Sequence, residues 1–146
     1  MAAKRQATAT WNGDLFSGSG NVAGKSGALD NLGVTWAART ESSDAKTSPE
    51  ELVAAAHASC YAMAFSNTLA GAGHAPEKLE VTSVVTFDPQ ADGGPRVTTA
   101  ELSVTGTVPG ISADQFQELA KQGEQGCPIS NLIRGGAEIT LDAKLA

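Results

Sequence analysis

The sequence predicts an α+β domain, and three observations carry that expectation. Segments alternating with a two-residue period, separated by Gly-, Asn- and Asp-rich turns, occur at both ends and in the middle of the chain. One long stretch, residues 49–69, has a clear helix start and no internal breaker. The length, 146 residues, suits a single domain spanning 1–146 with one core. Hydrophobic residues make up 41% and charged residues 18%, a globular balance. Aromatics are only 5%, so Ala and Val must fill much of the core, and a chain with such small side chains gains from a partner subunit. The net charge of −6 opposes binding to nucleic acid. Polar Gln6 follows Met1–Arg5 with no apolar stretch after it, and nowhere is the chain apolar for long enough to span a bilayer. The expected address is cytoplasmic, where two cysteines are free, catalytic, redox-active or metal-bound rather than a permanent crosslink.

In chain order, Gln6–Trp11 reads as a strand, and Asn12-Gly13 is a two-residue hairpin signal. A second strand is expected through Leu15 and Phe16 towards Val22. Residues 33–40, GVTWAART, read as a third strand that ends at Arg39, with Trp36 and Ala38 on one face. Ser48-Pro49-Glu50-Glu51 then supplies an N-cap, a proline at the first helical position and acidic residues in the first turn. The helix it opens should run from Pro49 to about Leu69, roughly 30 Å, and stop at Gly71 and Gly73. From Leu52 to Phe65 it is apolar or small on every face, which predicts burial all round in a central position shared with another subunit. Strands follow at Lys78–Asp88 and Arg96–Val108, hairpinned through Asp92-Gly93-Gly94-Pro95. Ser112 and Gln115 have capping-box spacing for a second helix to about Gln122, broken by Gly123 and Gly126. A short third helix, Pro128–Ile133, and a last strand, Glu138–Leu145, complete the chain.

Cys60 lies in the middle of the apolar helix, about three turns from its start. Apolar burial raises a thiol's pKa and leaves it inert, so a reactive Cys60 needs a cation. Arg39 is the best candidate, because a guanidinium stays charged and offers fork-shaped donors, although by position alone it reads as an ordinary surface arginine at a strand end. Glu50 complements the helix dipole and is a carboxylate able to orient Arg39. It precedes Cys60 by about 2.8 turns, roughly 15 Å of rise, so it does not readily touch that residue within one helix. Cys127 precedes Pro128 at a helix start, where backbone N–H groups favour a thiolate, and local physics alone ranks it as the more acidic thiol. The cysteines are 127 − 60 = 67 residues apart, and sequence does not bring them together. His57, three residues before Cys60, shares its helix face. It reads as a locally hydrogen-bonded, packed histidine, with a general base as the sharper alternative. A zinc site of His57, Cys60, Cys127 and His74 is disfavoured because the second half of the motif has one cysteine only.

The segments TWAART (35–40), TSPEELVAAAHASCYAMAFS (47–66), VPGISADQF (108–116), GCPISNLI (126–133) and EITLDAKL (138–145) together resemble the OsmC/Ohr hydroperoxide-resistance superfamily, in order and over nearly the whole chain. The position of Arg39, late in the N-terminal β region, is similar to the OsmC branch. The resemblance implies an α+β fold in which two chains intertwine, antiparallel-rich sheets wrapping two long central helices. It implies that Cys60 is the peroxidatic cysteine and Cys127 the resolving one, reversing the local ranking, and that Arg39 and Glu50 activate Cys60 at the dimer interface. The implied activity is a thiol-dependent peroxidase without cofactor or metal. Its substrates would be organic hydroperoxides, with hydrogen peroxide reduced less well, and an external dithiol would return the disulfide to thiols. Tyr61, Met63 and Phe65 are possible pocket walls, with core packing the plainer role. The competing expectation is a non-catalytic small-molecule-binding or stress protein of the same fold, against which the two cysteines, Arg39 and Glu50 all argue.

Overall fold

In the computed structural model, which describes residues 1–146, the chain divides into two compact units, Met1–Leu52 and Val53–Ala146. In the first unit, strands β1 (Ala7–Asn12), β2 (Ser19–Gly24) and β3 (Leu32–Val34) form an antiparallel sheet in that order. The Asn12-Gly13 signal does make a reversal, but a wider one than expected. Asn12 pairs with Ser19, so Leu15 and Phe16 lie in the connecting loop and not in a strand. The Asp14 carboxylate explains this, because it accepts from the backbone N–H of Phe16 at 2.8 Å and of Ser17 at 2.9 Å. A side chain that captures the next backbone donors makes a turn of its own and lengthens the loop.

Residues 36–40 correct the sequence reading more sharply. The expected strand stops at Val34, and Trp36–Thr40 is a short helix, α1. Thr35 caps it, its hydroxyl accepting from the Ala38 N–H at 3.1 Å. Arg39 therefore projects from the last turn of a helix, not from a strand end.

Helix α2 (Pro49–Gly71) starts at the expected residue, with the Ser48 hydroxyl accepting from the Glu51 N–H at 3.1 Å. It crosses from the first unit into the second. The expected all-round burial does not hold for the single chain. His57, Tyr61, Phe65 and Leu69 form a buried stripe at every fourth residue, whereas Val53 is 37% and Met63 68% exposed. One flank of an apolar helix is thus uncovered within one chain.

In the second unit, β4 (Lys78–Asp88) and β5 (Arg96–Thr107) pair antiparallel, and β6 (Glu138–Leu145) lies parallel to β5. Parallel neighbours need a crossover, here made by α3 (Ala113–Gln125) and α4 (Pro128–Ile133). Along β5, Ala100, Leu102 and Val104 turn inward, alternating with exposed Glu101, Ser103 and Thr105. Leu102 and Val104 share one core cluster with Tyr61, Phe65 and Leu69 of α2 and with Phe116 and Ala120 of α3. The rings of Phe65 and Phe116 meet edge to face at 5.1 Å, and the Tyr61 hydroxyl donates to the Ala120 carbonyl at 3.1 Å. Tyr61 and Phe65 are therefore core residues.

Gly123, expected to break α3, lies inside it. Its value is closeness, since a Cβ there would stand 2.9 Å from the Cα of Phe65. Gly123→Ala should gain up to about 1 kcal/mol of helix propensity but lose about 1–3 kcal/mol to overpacking. A net loss of stability is expected in urea denaturation. A midpoint equal to or above that of the unsubstituted protein would contradict this account of the α2–α3 contact.

Candidate active site

Two constellations hold the residues singled out from the sequence. The first lies within Met1–Leu52. Glu50 occupies the first turn of α2 and is buried, and Arg39 reaches it from the last turn of α1. The guanidinium Nη2 donates to Glu50 Oε1 at 2.7 Å and Nε donates to Oε2 at 3.1 Å, a two-pronged geometry that fixes the plane of the guanidinium. Arg39 also stands 5.9 Å from the centre of the Trp36 ring, one helical turn earlier. The Arg39 side chain is 29% exposed, and Glu50 holds its position. Beside it is a concavity of about 450 Å³ whose walls include Trp11, Leu15, Val22, Trp36 and Leu52, with Arg39 as the charged member.

The second constellation lies within Val53–Ala146. Cys60, half-buried, comes from the middle of α2, and Cys127, fully buried, is the N-cap of α4. Both are free thiols. The fold does what the sequence left open, for it brings Cys60 and Cys127 together as neighbours. Burial pushes the Cys60 thiol up, and the Ile129 backbone N–H opposes this by donating to the sulfur. The hydrogen bond with Cys127, and any negative charge there, raise it further. Cys127 Sγ accepts from the backbone N–H of Ser130 at 3.5 Å, the helix-start donor anticipated for it. Within this unit, then, Cys60 is the accessible sulfur and still lacks what would ionise it.

His57 is fully buried and engaged at both ring nitrogens. Nε2 lies 2.8 Å from the Ser130 hydroxyl and Nδ1 3.3 Å from the Ser83 hydroxyl. A neutral imidazole has one donor and one acceptor, and a hydroxyl plays either role, so both tautomers satisfy both contacts. Burial holds its pKa below the ordinary value, against a smaller upward pull from Glu124. Ser83 and Ser130 went unnoticed in the sequence. Their one signal is placement, Ser130 three residues after the capping Cys127 and Ser83 on the inward face of β4. No group of three or more His, Cys, Asp or Glu side chains is placed to hold a metal ion, and His74, set beside Cys127 in the zinc alternative, neighbours Gln115.

Known proteins share this arrangement of chain. The family model described as OsmC-like protein matches residues 41–142. The chain is also 37% identical, over 145 residues and 99% of each chain, to the peroxiredoxin OsmC of Escherichia coli strain K12. This chain belongs to the OsmC-like family. It is 34% identical over 100 residues, 65% of each chain, to an organic hydroperoxide resistance protein of Xanthomonas axonopodis pv. citri. Among solved structures, an organic hydroperoxide resistance protein of Elizabethkingia anophelis superposes with a TM-score of 0.76 at 25% identity, covering 100% of this chain and 99% of that one. OhrB of Bacillus subtilis superposes with a TM-score of 0.75 at 23% identity over 95% and 98%, a likeness of fold. The α+β architecture expected from the sequence is thus that of the OsmC-like family.

The depressed pKa of His57 carries a stability prediction. As pH falls through about 6.5, the unfolded chain takes up a proton on this residue that the folded chain resists. The stability His57 contributes at neutral pH is therefore lost progressively below about 6.5, down to its lower folded-state value. Melting temperatures across this range should fall more steeply with acid in the unsubstituted protein than in His57→Gln. Parallel profiles would remove His57 as the origin.

Proposed function

We propose that this chain is a thiol peroxidase that reduces organic hydroperoxides through Cys60, with Cys127 as the resolving thiol. One observation carries the reading: a partly accessible sulfur beside a second, fully buried one. An accessible thiol meets a peroxide first, and a buried neighbour meets only what the first has become. The names of the relatives, peroxiredoxin and organic hydroperoxide resistance protein, agree with it.

The steps balance as follows. The Cys60 thiolate attacks the terminal peroxide oxygen, an S–O bond forms, the O–O bond breaks, and the alkoxide leaves as alcohol after taking a proton. Cys60 has lost two electrons and is a sulfenic acid. The Cys127 sulfur attacks it, the S–S bond forms, and hydroxide leaves as water after protonation. An external dithiol returns both sulfurs to thiols by exchange.

Because its own surroundings push the Cys60 thiol up, the thiolate needs positive charge from outside that set. Arg39, oriented by Glu50, is the source we assign. The same guanidinium stabilises charge developing on the peroxide oxygen. The apolar walls beside Arg39 favour an organic hydroperoxide over hydrogen peroxide. The working form is a homodimer in which the uncovered flank of α2, including Val53 and Met63, is buried by a second copy. No helix is long and apolar enough to cross a membrane, and we assign the protein to the cytoplasm, where external dithiols are maintained.

Steady-state turnover of organic hydroperoxide with a dithiol tests the assignment. Cys60→Ser should abolish turnover, and Cys127→Ser should complete one oxidation and then accumulate over-oxidised Cys60. Turnover surviving in Cys60→Ser would overturn the choice of nucleophile. Arg39→Ala should lower kcat/KM by about 10²–10³-fold, the usual loss for one charge-stabilising donor. An unchanged value would show that the cation comes from elsewhere.

A further inference from the structure

Ser83, His57 and Ser130 have no part in the chemistry so far assigned, yet the chain of contacts Ser83–His57–Ser130 ends on Cys127, the sulfur that must resolve Cys60. Several elements meet in it. Ser83 belongs to β4, His57 to α2, Ser130 to α4, and Cys127 caps α4. His57 Nε2 lies 2.8 Å from Ser130 Oγ, and the backbone N–H of that same Ser130 donates to Cys127 Sγ at 3.5 Å. His57, Ser130 and Cys127 are all fully buried.

Helix α4 has six residues, far too few to be stable by itself. Cys is not among the residues that cap helices strongly. The first turn of α4 therefore relies on tertiary anchors. At its C-terminal end Arg134 Nη2 donates to Glu124 Oε1 of α3 at 2.6 Å. Towards its N-terminal end Asn131 Nδ2 donates to the Gln125 carbonyl at 3.2 Å and Ser130 is held by His57, which stands three residues before Cys60 on the same helix. One rigid segment of α2 thus carries the sulfur to be attacked and the group that holds the turn bearing its attacker.

We propose that His57, acting through Ser130, is a positioning residue for the resolving step, keeping Cys127 in register with Cys60 so that the disulfide forms before a second peroxide arrives. This rests on the assignment of Cys60 as peroxidatic and Cys127 as resolving. A disulfide tolerates only a narrow range of separations and torsions, so a looser α4 turn lowers the fraction of time in which the Cys127 sulfur can attack the sulfenic acid. The first oxidation, at Cys60 alone, does not depend on that register. Positioning by His57 is a matter of geometry, so no proton passes through it and the balance of the step is unchanged.

The test compares Ser130→Ala, His57→Leu and His57→Gln in the full-length protein. A glutamine amide reaches close to the place of Nε2 and restores a partner for Ser130. Each reduced protein is mixed with organic hydroperoxide, quenched at intervals and resolved by mass into sulfenic acid, disulfide and sulfinic acid. Ser130→Ala and His57→Leu should form sulfenic acid at a rate within about twofold of the unsubstituted protein. Their disulfide formation should slow by about tenfold, as expected for one buried hydrogen bond. The ratio of sulfinic acid to disulfide should rise by a similar factor, and His57→Gln should recover most of the rate. The two losses should not add in the double variant, because both remove one contact.

If His57→Leu does not fold, Ser130→Ala decides the matter, since it removes a single exchangeable contact and leaves the imidazole in place. Unchanged disulfide formation in Ser130→Ala overturns the proposal. So does a tenfold slowing of sulfenic acid formation equal to that of the disulfide, which would mean general disruption. Failure of the underlying assignment is read separately, from the unsubstituted protein forming no Cys60–Cys127 disulfide or from Cys60→Ser still consuming peroxide.

Discussion

Burial of every fourth residue along α2 is the constraint on which the rest of Val53–Ala146 depends. His57, Tyr61, Phe65 and Leu69 turn one stripe of that helix into the core, against the inward residues of β5 and against Phe116 and Ala120 of α3. A period of four drifts only slowly around a helix of 3.6 residues per turn, so the stripe stays on one side of the helix from His57 to Leu69. Cys60 precedes Tyr61 and stands at the margin of the stripe, which is why it is half-buried and not sealed. The same stripe carries His57 to Ser83 and Ser130. Core packing and site geometry are thus one arrangement, and a shift of α2 by a single residue would remove both.

The electrostatics divide unequally between the two units. Within Val53–Ala146 the forces on Cys60 favour the neutral thiol, with burial the largest and Cys127 adding to it. Within Met1–Leu52 a partly exposed guanidinium is locked in place by a buried carboxylate. A thiol kept neutral until a cation attends it is protected from indiscriminate oxidation, since the thiolate is the reactive form. Under the proposed function, that division makes the charge on Arg39 a condition of reactivity and the apolar surroundings of Cys60 a safeguard, with no need for an intrinsically acidic cysteine.

Helix α2 also accounts for the composition. Ala-rich helices bury little area per residue, yet this one leaves Val53 and Met63 in the open within one chain. Under the proposed homodimer a second copy would cover this apolar surface, which would account for a segment apolar around its whole circumference when one chain buries only a stripe.

Much of this was legible in the residues themselves. The start of α2 was written in Ser48 and Pro49, the cap of α3 in Ser112, the start of α4 in Pro128, and the inward face of β5 in the alternation of Leu102 and Val104. Those features are local, and local chemistry decides them. The N-terminal reading failed where two local patterns competed. The alternation in GVTWAART fits a strand, but a five-residue helix is too short to show its own period, and the Thr35 cap together with the Arg39–Glu50 ion pair across eleven residues settled it. Arg39, Glu50, Cys60 and Cys127 each stood out by residue type and setting. That Cys60 and Cys127 meet, that Ser83 and Ser130 enclose His57, and that Gly123 serves packing with Phe65 were decided only by the tertiary structure. The physical reason is that each of these contacts joins residues distant in the chain, and their separation is set by how α2, the sheet and the α3–α4 crossover pack, a property no single segment contains.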